Sequence, residues 1–195
     1  MHIIFYGPEG SGKGTQAKLL SEKLGIPVFT AGDLVREAAA NDTGHIGEVC
    51  RESLQQGTYV PDDDMCILFE RKIVEAGAES GWIMDGFPRS EGQAIFLDGK
   101  LTLLGTNINA VIYLNISEEE SLRRLIARAR PLHSGSTELH DSPDRIKKRL
   151  TAYKVRQQKV LDFYHKQGIV FEINGEDSVE NVQKKILGLL PHDPS

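Results

Sequence analysis

The chain has 195 residues, 28 acidic and 23 basic, for a formal net charge of −5; 39% are hydrophobic and 26% charged. This ordinary globular mixture excludes disordered and fibrous classes, and its mild acidity argues against a nucleic-acid partner held by broad positive charge. Two cysteines, Cys50 and Cys66, with no CxxC pair, supply neither a disulfide framework nor a zinc site.

The first apolar run, residues 2–6, reads as a short buried strand that stops at a glycine cluster. It is too short for a signal peptide or a membrane span, so the expectation is a cytoplasmic chain without a membrane partner. A helix follows from Lys13 to Leu24, with Ala17, Leu20 and Leu24 on one apolar stripe. Gly25 and Pro27 break it, and Val28–Phe29 reads as a second strand. Strand, glycine turn, helix and strand make a βαβ unit, which favours a parallel sheet covered by helices.

From Asp33 to about Gly57 the pattern is helical with a polar surface, divided by Gly44 and Gly47, as in a small pair of helices set apart from the sheet. Pro61 permits a turn, Asp62, Asp63 and Asp64 suit a helix start, and an apolar-striped helix follows from Met65 to Ala76. Residues 82–84 and 110–114 read as strands. Ser117 with Glu120 forms a capping box for a helix to about Ala129. Residues 131–141 are polar and turn-rich, hence a surface loop. A long helix from about Asp144 to His165, a strand at 169–173 and a helix capped by Ser178 complete the chain.

The run from Gly7 to Thr15 carries the chemistry. Glycines at 7, 10, 12 and 14 surround Lys13, with an apolar strand before them and a helix after. Glycines allow tight backbone angles, and amide hydrogens then point inward. The helix N-terminus faces the same anion, so the segment reads as a phosphate loop whose lysine reaches the β and γ phosphates. Thr15 or Ser11 adds a hydroxyl near the phosphates or a hydrated magnesium ion. A dinucleotide fingerprint is disfavoured, because Lys13 supplies a phosphate-directed charge and no acidic ribose ligand ends the second strand.

Asp85 ends an apolar strand and Arg89 follows a Gly86–Phe87–Pro88 turn. The C-terminal end of a parallel strand lies beside the phosphate loop, which suits an aspartate holding magnesium-bound water and an arginine holding a second anion. Phosphoryl transfer needs electrostatic clamping and alignment more than a strong base. Candidate clamps are Arg36, Arg89, Arg123, Arg124, Arg128, Arg130, Arg145 and Arg149. Arg124 and Arg128 stand four apart and share a helix face.

In these motifs the chain resembles the adenylate kinases, within the nucleoside monophosphate kinases, over nearly its whole length. The resemblance rests on the glycine loop from Gly7 to Thr15 and the run Asp85–Gly86–Phe87–Pro88–Arg89. It implies an α/β fold of the P-loop NTPase type: a three-layer sandwich with a parallel sheet, a helical monophosphate-binding insert and a short lid. The implied core is residues 1–29, 60–128 and 142–195, the insert 30–59 and the lid 129–141. It further implies ATP and AMP as substrates, magnesium carried with ATP through water near Asp85 and Thr15, no structural zinc, and a monomer. Lys13 and the backbone from Gly10 through Ser11, Gly12 and Gly14 to Thr15 would bind donor phosphates, and Arg124 would stack near the donor adenine. Thr30, Ala31, Arg36, Gly57, Thr58, Val60, Gly86, Arg89 and Gln93 would form the AMP site. Arg128 and Arg149 would close on the transferring group.

Two positions depart from the family pattern. Ala31 stands where a threonine often helps read adenine, and alanine there is common in pyrimidine monophosphate kinases. In the lid, Glu138 stands where an arginine is usual and His140–Asp141 replaces an acidic pair, so either Arg130 or Arg145 substitutes or the enzyme works with one clamp fewer. His133 and His140 read as incidental rather than metal-binding. A UMP/CMP kinase, a P-loop regulatory protein and, on the Glu138 departure, a catalytically weak structural homologue remain the alternatives. The regulatory protein would need a guanine-reading Asn-Lys-x-Asp element, which the chain lacks.

Overall fold

A computed structural model describes residues 1–77, 81–129 and 142–190. Five parallel strands form the sheet: β1 (His2–Tyr6), β2 (Val28–Thr30), β3 (Trp82–Asp85), β4 (Ala110–Asn115) and β5 (Val170–Asn174), in the order β2-β3-β1-β4-β5. Helices link them: α1 (Lys13–Leu24), α2 (Ala31–Asn41), α3 (His45–Gln56), α4 (Asp62–Ala76), α5 (Glu91–Leu103), α6 (Glu118–Arg128), α7 (Pro143–His165) and α8 (Val179–Leu189).

Alternation along the strands divides the core into two layers. Ile3 and Phe5 of β1, with Ile83, Ile112 and Leu114, face Ala17 and Leu20 of α1 and Val182 and Ile186 of α8. Ile4 and Tyr6, with Trp82, Met84 and Val111, face Phe69 of α4, Leu97 and Leu101 of α5, and Val160 and Tyr164 of α7. Both faces of the central strands are therefore apolar, as a parallel sheet covered by helices requires. Each fully buried aliphatic or aromatic side chain contributes roughly 1.5–3 kcal/mol. A smaller cluster of Leu125, Ile146 and Leu150 joins α6 to α7.

Several local expectations are corrected. Leu24 is 36% exposed and leaves the buried stripe of α1, which Gln16, Ala17 and Leu20 carry. Gly44 precedes α3, whereas Gly47 lies inside it; a Cβ at 47 would fall 1.8 Å from the Asp42 carbonyl oxygen, so that glycine permits close approach rather than a break. Ser117 does accept from the Glu120 amide, but Glu176 takes the Ser117 amide while Glu120 turns to Arg123 and Arg124. The capping box is thus completed by a residue 59 positions away. Helix α4 begins at Asp62, with the acidic run Asp62, Asp63 and Asp64 as its first turn, as expected. Helix α5, capped by Ser90, has no counterpart in the sequence reading.

Candidate active site

The register of the sheet assembles the site. Thr30 of β2 pairs with Asp85 of β3, and Asp85 pairs with Phe5 of β1, so three strands end in one row. The phosphate loop leaves β1 at that row. A Cβ on Gly7 would sit 2.4 Å from the Leu114 carbonyl oxygen, so the loop can cross the end of β4 only with glycine there. Gly12, at φ 92°, precedes α1 and turns the helix N-terminus towards the loop. The Ser121 hydroxyl, buried on α6, donates to the Glu9 carbonyl and pins the loop from above.

Lys13 lies inside this loop and donates to the Gly7 and Pro8 carbonyl oxygens, both at 2.8 Å. Burial pushes its pKa down, opposed by the charges of Asp85 and Glu9. Burial pushes the Asp85 carboxyl up, opposed by Lys13 and Arg89. Each charge thus offsets part of the other's cost of burial. Ser11 Oγ is buried without a hydrogen-bond partner among the described residues, in a loop otherwise rich in donors.

Two concavities flank the loop. The first, about 270 Å³, lies between Gly10, Ser11, Gly12, Thr15 and Gln16 on one side and Arg124, Gly175, Asp177, Val179 and Val182 on the other. Arg124 donates to the Gly10 carbonyl at 3.3 Å and the Gly175 carbonyl at 3.0 Å, and its Nε lies 2.6 Å from Glu120. Its guanidinium is therefore fixed at three points before any ligand arrives. Sequence reasoning named Gly10, Ser11, Gly12, Thr15 and Arg124. It missed Gln16, and with it Gly175 and Asp177 in the turn after β5 and Val179 and Val182 of α8.

The second concavity, about 230 Å³, contains Glu9, Lys13, Tyr59, Val60, Gly86, Arg89, Arg149, Tyr153 and Arg156. Arg149 is buried, and its Nε lies 3.0 Å from both oxygens of Glu9. The Tyr59 hydroxyl donates to Glu9 at 2.5 Å, and the Arg89 guanidinium rests 4.2 Å over the Tyr59 ring. Burial works against ionisation of Glu9, yet Arg149, the Tyr59 hydroxyl, Arg89 and Lys13 together hold its pKa below the usual range.

Arg89 is oriented by its own turn, where Nε donates to the Gly86 carbonyl at 2.7 Å. Gly86 has φ 84°, and a Cβ there would meet Arg89 at 3.0 Å and the Ala31 methyl at 3.2 Å. Bulk at either position would therefore crowd this corner. Gln93 is buried; its carbonyl accepts from the Arg89 amide at 2.6 Å and its amide donates to Asp62 at 3.0 Å. Asp62 also accepts from Ser90 and Arg156. The base-reading candidate is thus buried and taken up by protein contacts, behind the residues that line the concavity.

The remaining expected residues are more dispersed. Arg36 pairs with Asp33 at 2.6 Å, and Thr30 caps α2 through the Asp33 amide while donating to the Asp33 carboxylate. Gly57 ends α3 at φ 66°, and the Thr58 amide donates to the Ser53 carbonyl. Arg128, at the end of α6, lies close enough to depress Lys13 further. Arg145 donates to the Gln56 carbonyl at 3.2 Å, tying the start of α7 to the end of α3. Arg130, His133, Glu138, His140 and Asp141 lie outside the described residues. Glu9 and Tyr59 were not singled out as site residues; an acid inside a glycine loop built for anions was the available signal.

No helix among the described residues is long and apolar enough to cross a membrane. The family model described as adenylate kinase matches residues 5–169. An adenylate kinase of Archaeoglobus fulgidus is 34% identical, over 97% of this chain and 98% of its own length. An adenylate kinase of Leptospira biflexa is 37% identical over 95% and 97%, and adenylate kinase 1 of Synechocystis is 37% identical over 92% and 91%. With its glycine loop, parallel sheet and converging cations, the chain belongs to the adenylate kinase family.

Proposed function

We propose that this chain transfers the γ-phosphoryl group of ATP reversibly to AMP, giving two ADP. The observation that carries the reading is the convergence of Lys13, Arg89 and Arg149 on one cleft beside the phosphate loop. A transferring phosphoryl group spreads charge over its equatorial oxygens, and preorganised cations stabilise that charge without moving much in the act.

The amides from Gly10 to Thr15 and Lys13 hold the donor phosphates, and Arg124 with Val179 and Val182 borders the donor base. Arg36 and Arg89 hold the acceptor phosphate; Gln93, steadied by Asp62, addresses the acceptor base. Thr30, Ala31, Gly57, Thr58, Val60 and Gly86 frame that acceptor side. Arg128 and Arg149 close on the group in transit. No general base is needed, because a monophosphate oxygen is already anionic near neutral pH. Closure of the insert, residues 30–59, would exclude water and bring donor and acceptor into line; the expected lid, residues 129–141, lies outside the described residues from 130 onward.

The donor set fits magnesium delivered with ATP. Asp85 is a half-buried carboxylate against the start of α1, its Oδ2 3.4 Å from where a Gly14 Cβ would stand, with the exposed Thr15 next in sequence. One carboxylate and one hydroxyl suit an ion that keeps most of its waters, and the described residues contain no group of three or more metal-ligating side chains. Bound with ATP, the ion neutralises phosphate charge; Asp85 and Thr15 orient its waters.

The test is phosphorus NMR of the enzyme with magnesium-ATP and AMP. Two ADP should form per ATP consumed, and the reaction should run back from ADP alone. Release of inorganic phosphate without ADP accumulation from AMP would overturn the reading.

A further inference from the structure

Glu9 sits where an anion-binding cleft would be expected to exclude a negative charge. Among the described residues of that cleft, the other carboxylate, Asp62, is taken up by Ser90, Gln93 and Arg156. Glu9 instead faces the cations. Both its oxygens lie 3.0 Å from Arg149 Nε, one accepts from the Tyr59 hydroxyl at 2.5 Å, and Arg89 covers that tyrosine from its other side. Its backbone is not free to swing away, because the Ser121 hydroxyl holds the Glu9 carbonyl.

We propose that Glu9 is an internal stand-in for a phosphoryl group, holding Arg149 and Tyr59 ready until nucleotide phosphates displace its carboxylate from Arg149. A carboxylate and a phosphate compete for the same planar guanidinium donors. Before nucleotide binds, Glu9 is a charged partner of a buried arginine. Once phosphates arrive, Glu9 gives up the Arg149 Nε and keeps Tyr59, as an anion beside anions. Glu9 therefore weakens the loaded state and speeds its release: it is a positioning residue, not a catalytic one.

The inference rests on the phosphotransferase reading but is tested without turnover. Calorimetric titration with inorganic tripolyphosphate compares the wild-type chain with Glu9→Gln, which keeps the size and an acceptor for Tyr59 but loses the charge. The dissociation constant should fall about three- to tenfold. KM for ATP should fall with it while kcat does not rise, and Glu9→Asp should move both parameters back towards wild type. Glu9→Ala, which removes the charge without asking glutamine to pack, should tighten tripolyphosphate in the same direction. Unchanged or weaker tripolyphosphate binding in both neutral variants would overturn the proposal. Failure of the wild-type chain to convert ATP and AMP would instead count against the function and leave this titration readable.

Discussion

The two sides of the phosphate loop are built by different means. On the donor side the surfaces are backbone: glycine amides, a helix N-terminus, and two carbonyls that hold Arg124 in place. On the acceptor side the surfaces are side chains already engaged with each other, Arg36 with Asp33 and Arg89 on Tyr59, and between the two sides Arg149 is engaged with Glu9. Backbone donors need no rearrangement to meet a phosphate, whereas paired side chains must exchange partners first. The donor side therefore needs less rearrangement than the acceptor side, with Lys13, held on the Gly7 and Pro8 carbonyls, as the donor-side group that must change partners.

Substitutions should separate the two sides. Lys13→Ala has the largest expected effect, a fall in kcat of about 10³-fold without unfolding, read by initial rates and circular dichroism. Arg89→Ala should lower kcat about 10²-fold and raise KM for AMP, because the residue meets the acceptor phosphate throughout. Arg36→Ala should raise KM for AMP about tenfold with little change in KM for ATP, the mark of a group that binds the acceptor without assisting transfer. An equal rise for both substrates would erase the distinction between the sides. Arg124→Ala should raise KM for ATP about three- to tenfold while AMP is little affected.

The smallest effect concerns Glu120, which supports Arg124. Hydrogen bonds from Arg123 and Arg124 push its pKa from 4.5 down to about 2. A carboxyl depressed in the folded state adds stability that is full above its unfolded value and lost as pH falls through the folded one. Thermal melting of Glu120→Gln should therefore depend less on pH than wild type between about 4.5 and 2, by a margin that shrinks in high salt. A wild-type pH slope in the variant would remove Glu120 from the account.

What the sequence made legible was what it repeats locally. β1, the glycine loop and α1 follow one another within 24 residues, each with its own signal, and the structure has all three. Strands β3 and β4 were legible as apolar runs bounded by turns. Helix α5 was not, because Gly92, Gly99 and Thr102 dilute a stripe that Gln93, Ala94, Leu97 and Leu101 nevertheless bury. Partnerships across the chain were the least legible. Glu176 on the Ser117 amide and Glu9 on Arg149 are pairings 59 and 140 residues apart, set by the fold rather than by spacing. The arginines were readable as a group; which acid each one meets was not.

Ala31 and Gln93 pull the acceptor base in different directions, and both lie at the corner formed by Gly86 and Arg89. The most direct measurement is initial-rate transfer from magnesium-ATP to AMP, CMP, UMP and GMP, compared by kcat/KM. A strong preference for AMP is the predicted result and would mean that Gln93 reads adenine with alanine at position 31. A preference for CMP or UMP would contradict the acceptor assignment while sparing the phosphate chemistry, and no transfer to any of the four would contradict the account as a whole.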